Sequence, residues 1–143
     1  MSVQKPTIVL IYRRRADSFF GAARDLDALA ADVHGPAIGL LAVHGCIALA
    51  DAVLIAAEGE RGTGEDHAEA ARRLRKWCFA KGLEDRGVKH FEWLLGRKNH
   101  FSYDERVAGD EELKNAKVKM EQFFAWAFHE FPAVAQLTEA KDA

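Results

Sequence analysis

An all-α bundle is the fold this sequence predicts, on three observations. Apolar residues recur at spacings of three and four along most of the chain. The 3 prolines, Pro6, Pro36 and Pro132, stand at segment edges, where a missing N–H costs least. No strand-like alternation extends beyond residues 7–12, and neither an internal repeat nor a low-complexity stretch interrupts the pattern. The 143 residues suit a single domain, 1–143, and a content of 49% hydrophobic and 29% charged residues is enough to bury a core and unlike that of a disordered chain.

Five helical segments follow in order. The first runs from about Pro6 to Ala31, with Phe19, Ala23, Leu26 and Ala30 on one stripe. The second runs from about Gly35 to Glu60, with Pro36 in its first turn and the glycine-rich stretch Gly59 to Gly64 ending it. The third, about Glu65 to Ala80, points Ala68, Ala71, Leu74, Cys78 and Phe79 inward, and Gly82 follows its end. The fourth, about Glu84 to Gly96, carries Phe91, Leu94 and Leu95, and is readable with the third as one broken element. The fifth runs from about Asp110 to Phe131, with Asp110 as a cap and Leu113, Ala116, Met120, Phe123, Phe124, Ala127 and Phe131 as its apolar face. Residues 138–143 read as a frayed tail. Short connections between long helices predict an up-and-down bundle of about four main helices plus a short fifth.

Composition narrows the function. A net charge of −2 gives no global field toward nucleic acid or an acidic membrane. The clusters Arg13-Arg14-Arg15, Arg72-Arg73-Leu74-Arg75-Lys76 and Arg97-Lys98 read as solvated helix faces. The 2 cysteines, Cys46 and Cys78, lie far apart in apolar contexts and read as reduced core thiols. No signal peptide is visible, and the apolar stretch Ala37 to Ala57 is broken by His44 and Asp51, so the expectation is a cytoplasmic protein with no membrane span.

Candidate chemistry concentrates in Leu94 to Asp104, LLGRKNHFSYD. Arg97 offers a planar fork of donors for a phosphate, and His100 can move a proton near neutral pH. Three residues apart, they share a face if the helix is continuous; if Gly96 ends the helix, that geometry is lost. Asn99 and Tyr103 add hydrogen-bonding groups. The alternative is structural: Arg97 pairs with Asp51 or Asp104, and His100 is merely exposed. On the second segment, His44 and Asp51 are polar residues in an otherwise apolar stripe with Leu40, Ile47 and Leu54, either satisfied in the core or lining a cleft.

Other signals are weaker. Arg86 and His90 lie four apart on one helix face. His67 and His129 lack further ligands at metal-binding spacing, so no metal is expected. The stretch GERGTGED lacks the Lys and Ser/Thr of a phosphate-binding loop, and no cofactor is expected. Trp77, Trp93 and Trp126 read as core or interface residues.

Several stretches carry a family resemblance: Ala50 to Gly59, the helix start Asp66-His67-Ala68, Leu94 to Asp104, and Phe123-Phe124-Ala125-Trp126-Ala127. Over roughly residues 12–131 the chain resembles a HEPN domain, most closely the small stand-alone forms whose motif ends in Tyr-Asp. The resemblance implies a helical bundle that forms a homodimer and binds nucleotide, RNA or a partner protein. It implies a toxin–antitoxin setting or a nucleotidyltransferase partner. Arg97 matches the family arginine and Tyr103 the aromatic residue that follows. In the nuclease members an Arg and a His, separated by four to six residues, cleave RNA without metal. Here only two residues separate Arg97 from His100, and Phe101 holds the position two before Tyr103. Three expectations result: a binding bundle, a metal-independent ribonuclease using Arg97 and His100, or a purely structural partner-binding module.

Overall fold

The computed structural model describes residues 5–60, 67–103 and 110–137. Among them every regular element is a helix. The stretch Lys5–Glu58 is two helices, because Ala30 (φ −162, ψ 71) and His34 (φ −103, ψ 17) leave helical dihedrals. We label these arms α1 (residues 5–29) and α2 (residues 35–58). Then come α3 (Ala68–Lys81), α4 (Val88–Leu95), α5 (Lys98–Tyr103), α6 (Asp110–Glu130) and α7 (Pro132–Ala135).

The helix boundaries follow from local chemistry. The break between α1 and α2 falls where the sequence predicts it, just before Pro36, whose missing N–H suits a first turn. Gly59 takes a positive φ of 91 and ends α2. Gly82 adopts a left-handed conformation (φ 68, ψ 26), which lets Leu83 N–H bond back to Cys78 O at 2.8 Å and closes α3. The third and fourth segments are thus separate helices. Two short helices escape the five-segment reading: α5, which restarts after Gly96, and α7, which begins at the same Pro132 that ends α6. The proposed Asp110 cap side chain, much of the glycine-rich loop and the frayed tail lie outside the described residues.

The two arms of the hairpin face each other at glycine. A Cβ on Gly45 would lie 3.3 Å from Phe19 Cβ, so the small residue permits the close approach. Helix α6 then lies along both arms. It runs antiparallel to α1, through Lys117–Asp27 (2.9 Å) and Phe124–Phe20 (ring centroids 4.6 Å apart), and Leu113 seats on Gly35 of α2. Phe123 of α6 stacks on Phe91 of α4 at 5.1 Å, and the Trp126 ring covers Gly87, with its Nε1–H donating to Glu84 O at 2.7 Å. Removing side chains such as Phe91, Phe123, Leu49 and Leu74 from water contributes about 1.5–3 kcal/mol each.

Helix α2 is the centre of this core. The stretch Val33–Glu58 is long and apolar enough to cross a membrane, yet 83% of its apolar window is buried against the other helices. A central bundle helix needs that composition. Cys46 and Cys78 are both buried free thiols; burial raises the Cys46 pKa well above its ordinary value and lifts Cys78 to about 11, with Asp85 and Glu130 adding to the rise.

Two sequence expectations are corrected. Phe79 does not face inward: it is 92% exposed, while Cys78 beside it is buried. The basic clusters are not uniformly solvated. Arg13 crosses to the C-terminal end of α7, Arg73 bonds Glu58 at 2.9 Å, and Arg75 bonds Asp85 at 3.0 Å and also pairs with Glu92. These arginines staple one element to another.

Candidate functional site

The segment singled out in the sequence folds as a helix end, a tight turn and a new helix. Helix α4 stops at Leu95, and Gly96 keeps right-handed dihedrals (φ −65, ψ −17), so the chain turns without unwinding. Arg97 N–H reaches Leu94 O at 3.0 Å, and Phe101 N–H reaches Arg97 O at 3.1 Å. Phe101 is buried and lies flat over Gly39 of α2, where a Cβ would approach its ring to 2.9 Å. That contact fixes α5 on the core.

The junction sends neighbouring side chains to different places. The Arg97 guanidinium stacks over the Trp93 ring, 3.9 Å from the centroid, and Nη1–H donates to Trp93 O at 3.3 Å. His100 Nε2 lies 2.9 Å from Glu112 Oε1 on α6, and the ring is only 21% exposed. The two side chains are therefore engaged with different partners in this chain. Arg97 makes no ion pair with Asp51, which is itself buried at 5% exposure and engaged within the fold. Tyr103 closes α5, and its side chain, like Asp104, lies outside the described set.

Lys98 and Asn99 line something more open. A groove of about 550 Å³ runs between the first turns of α3 and the α4–α5 junction. It is lined by the polar residues His67, Arg72, Glu92, Lys98 and Asn99 together with Ala68, Ala71, Leu95 and Gly96. Its charged lining is Arg72, which is exposed, with Lys98 and with Glu92, which is paired to Arg75 across the α3–α4 contact. His67 and Lys98 also have contacts within the fold. His44 belongs to the same neighbourhood: burial lowers its pKa first, and the charges of Lys98 and then His67 lower it further.

The residues of the segment are thus divided between the groove and contacts inside the fold. Asn99 lines the groove, His44 is electrostatically coupled to it, and Arg97, His100 and Asp51 are not among its lining residues. His67, Arg72 and Lys98 were missed as site residues. The first two lie 27 and 22 residues before Leu94, and no spacing rule connects the elements. Arg86 turns back to Glu84 at 3.3 Å rather than joining His90, whose own pKa is lowered by burial and then by Lys119 and Lys89.

The arrangement is suited to holding an anion with an apolar moiety attached. Arg72 supplies a fork, Lys98 a point charge, His67 a titratable donor and Asn99 both donor and acceptor. Among the described residues, no group of three His, Cys, Asp or Glu side chains could hold a metal ion. No family model matches the chain, and comparison with curated proteins finds no match.

Proposed function

We propose that this protein is a HEPN-like helical bundle that binds a nucleotide or RNA in the groove between α3 and the α4–α5 junction. The observation that carries this reading is the composition of the groove: Arg72, Lys98, His67 and Asn99, with Glu92 drawn into a pair with Arg75, beside the apolar Ala68, Ala71 and Leu95. A phosphate meets the first set, and a base or ribose packs on the second. A volume of about 550 Å³ falls within the usual range for small-ligand sites. The resemblance of Leu94 to Asp104 to the HEPN motif supports the choice of ligand class, and carries with it a homodimer and a nucleotidyltransferase or antitoxin partner.

The test is a calorimetric titration with adenosine 5′-monophosphate and a short RNA. Lys98→Ala removes one charge-assisted contact, so affinity falls by about tenfold or more. Arg97→Ala leaves it within a few fold, since Arg97 is held on Trp93. Wild-type affinity in Lys98→Ala rejects the groove. Cleavage is not part of the proposal, because Arg97 and His100 are engaged with Trp93 and Glu112. RNA incubated with the protein in EDTA stays intact; cleavage that disappears in His100→Ala would establish the ribonuclease reading instead.

A further inference from the structure

We infer that the exposed face of α3 extends the groove into a track for single-stranded RNA, with Arg72 and Lys76 meeting phosphates and Phe79 stacking a base. The inference rests on the groove reading and adds the polymer to it. Arg72, Lys76 and Phe79 lie at i, i+4 and i+7, so they form one stripe along the helix, about 10 Å from end to end. Arg72 both lines the groove and is the first residue of this stripe. Phe79 is 92% exposed, and Arg72 and Lys76 are exposed beside it.

The remaining charges of α3 are directed elsewhere. Arg73 is held by Glu58 and by Glu60 O, and Arg75 by Asp85 and Glu92. Glu69, the acidic side chain of the first turn, lies 3.8 Å from Arg73. What remains outward on the stripe is cation, cation, aromatic ring. Trp77, the other aromatic of α3, is half-buried and has Lys81 over its ring at 4.9 Å. Leu29 and Val33 are also exposed, but they flank the α1–α2 kink and have no π face. Aromatic stacking with phosphate contacts alongside is how sequence-tolerant single-strand binding works, and every base can supply the stacking partner.

Phe79 packs on nothing that its removal would disturb, so Phe79→Ala is a clean probe, with a thermal melt as the control for folding. The experiment compares adenosine 5′-monophosphate with a six-nucleotide oligoadenylate. The oligonucleotide binds more tightly than the mononucleotide to wild type. Phe79→Ala weakens the oligonucleotide about tenfold, leaves the mononucleotide unchanged, and Phe79→Trp restores the difference. Lys76→Gln lowers the salt dependence of oligonucleotide binding by about one ion. If mononucleotide binds but the oligonucleotide gains nothing from Phe79, the track is wrong and the groove stands. If neither binds, both fall together. A wild-type dimer that Phe79→Ala dissociates, with RNA affinity unchanged, reassigns the stripe to a protein interface and overturns the inference.

Discussion

Arg13 donates from Nη1 to the carbonyl oxygens of Val134 (2.6 Å), Ala135 (3.0 Å) and Leu137 (3.4 Å), and its guanidinium covers the Phe128 ring. These carbonyls lie at and just beyond the end of α7, where Leu137 N–H is the backbone donor to Val134 O at 3.3 Å and Arg13 supplies further donors. Asp17, 3.1 Å from Arg13 Nε, holds the side chain in place. Arg13→Ala therefore costs about 1.5–3 kcal/mol in chemical denaturation and releases α7 from α1, whereas Arg14→Ala, an exposed neighbour, changes stability much less. The histidines give the pH dependence at this scale. His44 and His90 both have lowered pKa values in the fold, from an ordinary 6.5. The unfolded chain therefore takes up protons first as the pH falls. Their contribution to stability is present above pH 6.5 and is lost as the pH drops from there through the folded values. NMR titration should give midpoints below 6.5 for both rings. Phosphate or nucleotide in the groove should raise the His44 midpoint, since an anion offsets the charge of Lys98, and leave His90 unmoved.

Two elements hold the site, and one of them is only six residues long. Helix α5 (Lys98–Tyr103) is too short to be stable alone. Its position depends on Phe101 against Gly39 and on His100 against Glu112. Gly39→Ala pushes a methyl group toward the Phe101 ring and costs about 1–3 kcal/mol. Lys98 and Asn99 move with α5, so nucleotide affinity falls in Gly39→Ala more than in a distant variant of equal stability. Gly21→Ala, at a position where a Cβ meets nothing within 4 Å, is the unstrained glycine-to-alanine control, and Val134→Ala in the buried part of α7 is the destabilised one. An unchanged affinity in Gly39→Ala would mean that α5 does not depend on this contact.

At the scale of the molecule, most of the fold was legible because long amphipathic helices write their period directly into sequence. Pro36, Gly59, Gly82 and Pro132 mark real boundaries, and the stripe Leu113, Ala116, Met120, Phe123, Phe124 and Ala127 is the buried or half-buried face of α6. Phe79 departs from the expected inward face because that face of α3 is narrower than its apolar stripe: Leu74 and Cys78 are buried, and Phe79, about 100° round the helix from Cys78, is solvent-facing. Arg13, Arg73 and Arg75 depart from expectation for another reason. Charge runs look alike whether solvated or stapled, and the partner carboxylates and carbonyls lie far along the chain. The same limit hid the groove. Lys98 and Asn99 were inside the flagged segment, but only the packing of α3 against α4 brings His67 and Arg72 opposite them.

The kink between α1 and α2 also bears on how the chain reaches this state. It makes residues 5–58 a hairpin whose contacts, such as Phe19 with Gly45, are close in sequence, whereas α6 must return from beyond residue 110. Closing the nearer loop loses less chain entropy, so the expected order is a hairpin nucleus first, with α6 docking onto it later. In stopped-flow refolding, Gly45→Ala should slow folding, and Met120→Ala on α6 should chiefly speed unfolding. The reverse pattern would place the nucleus on the returning helix.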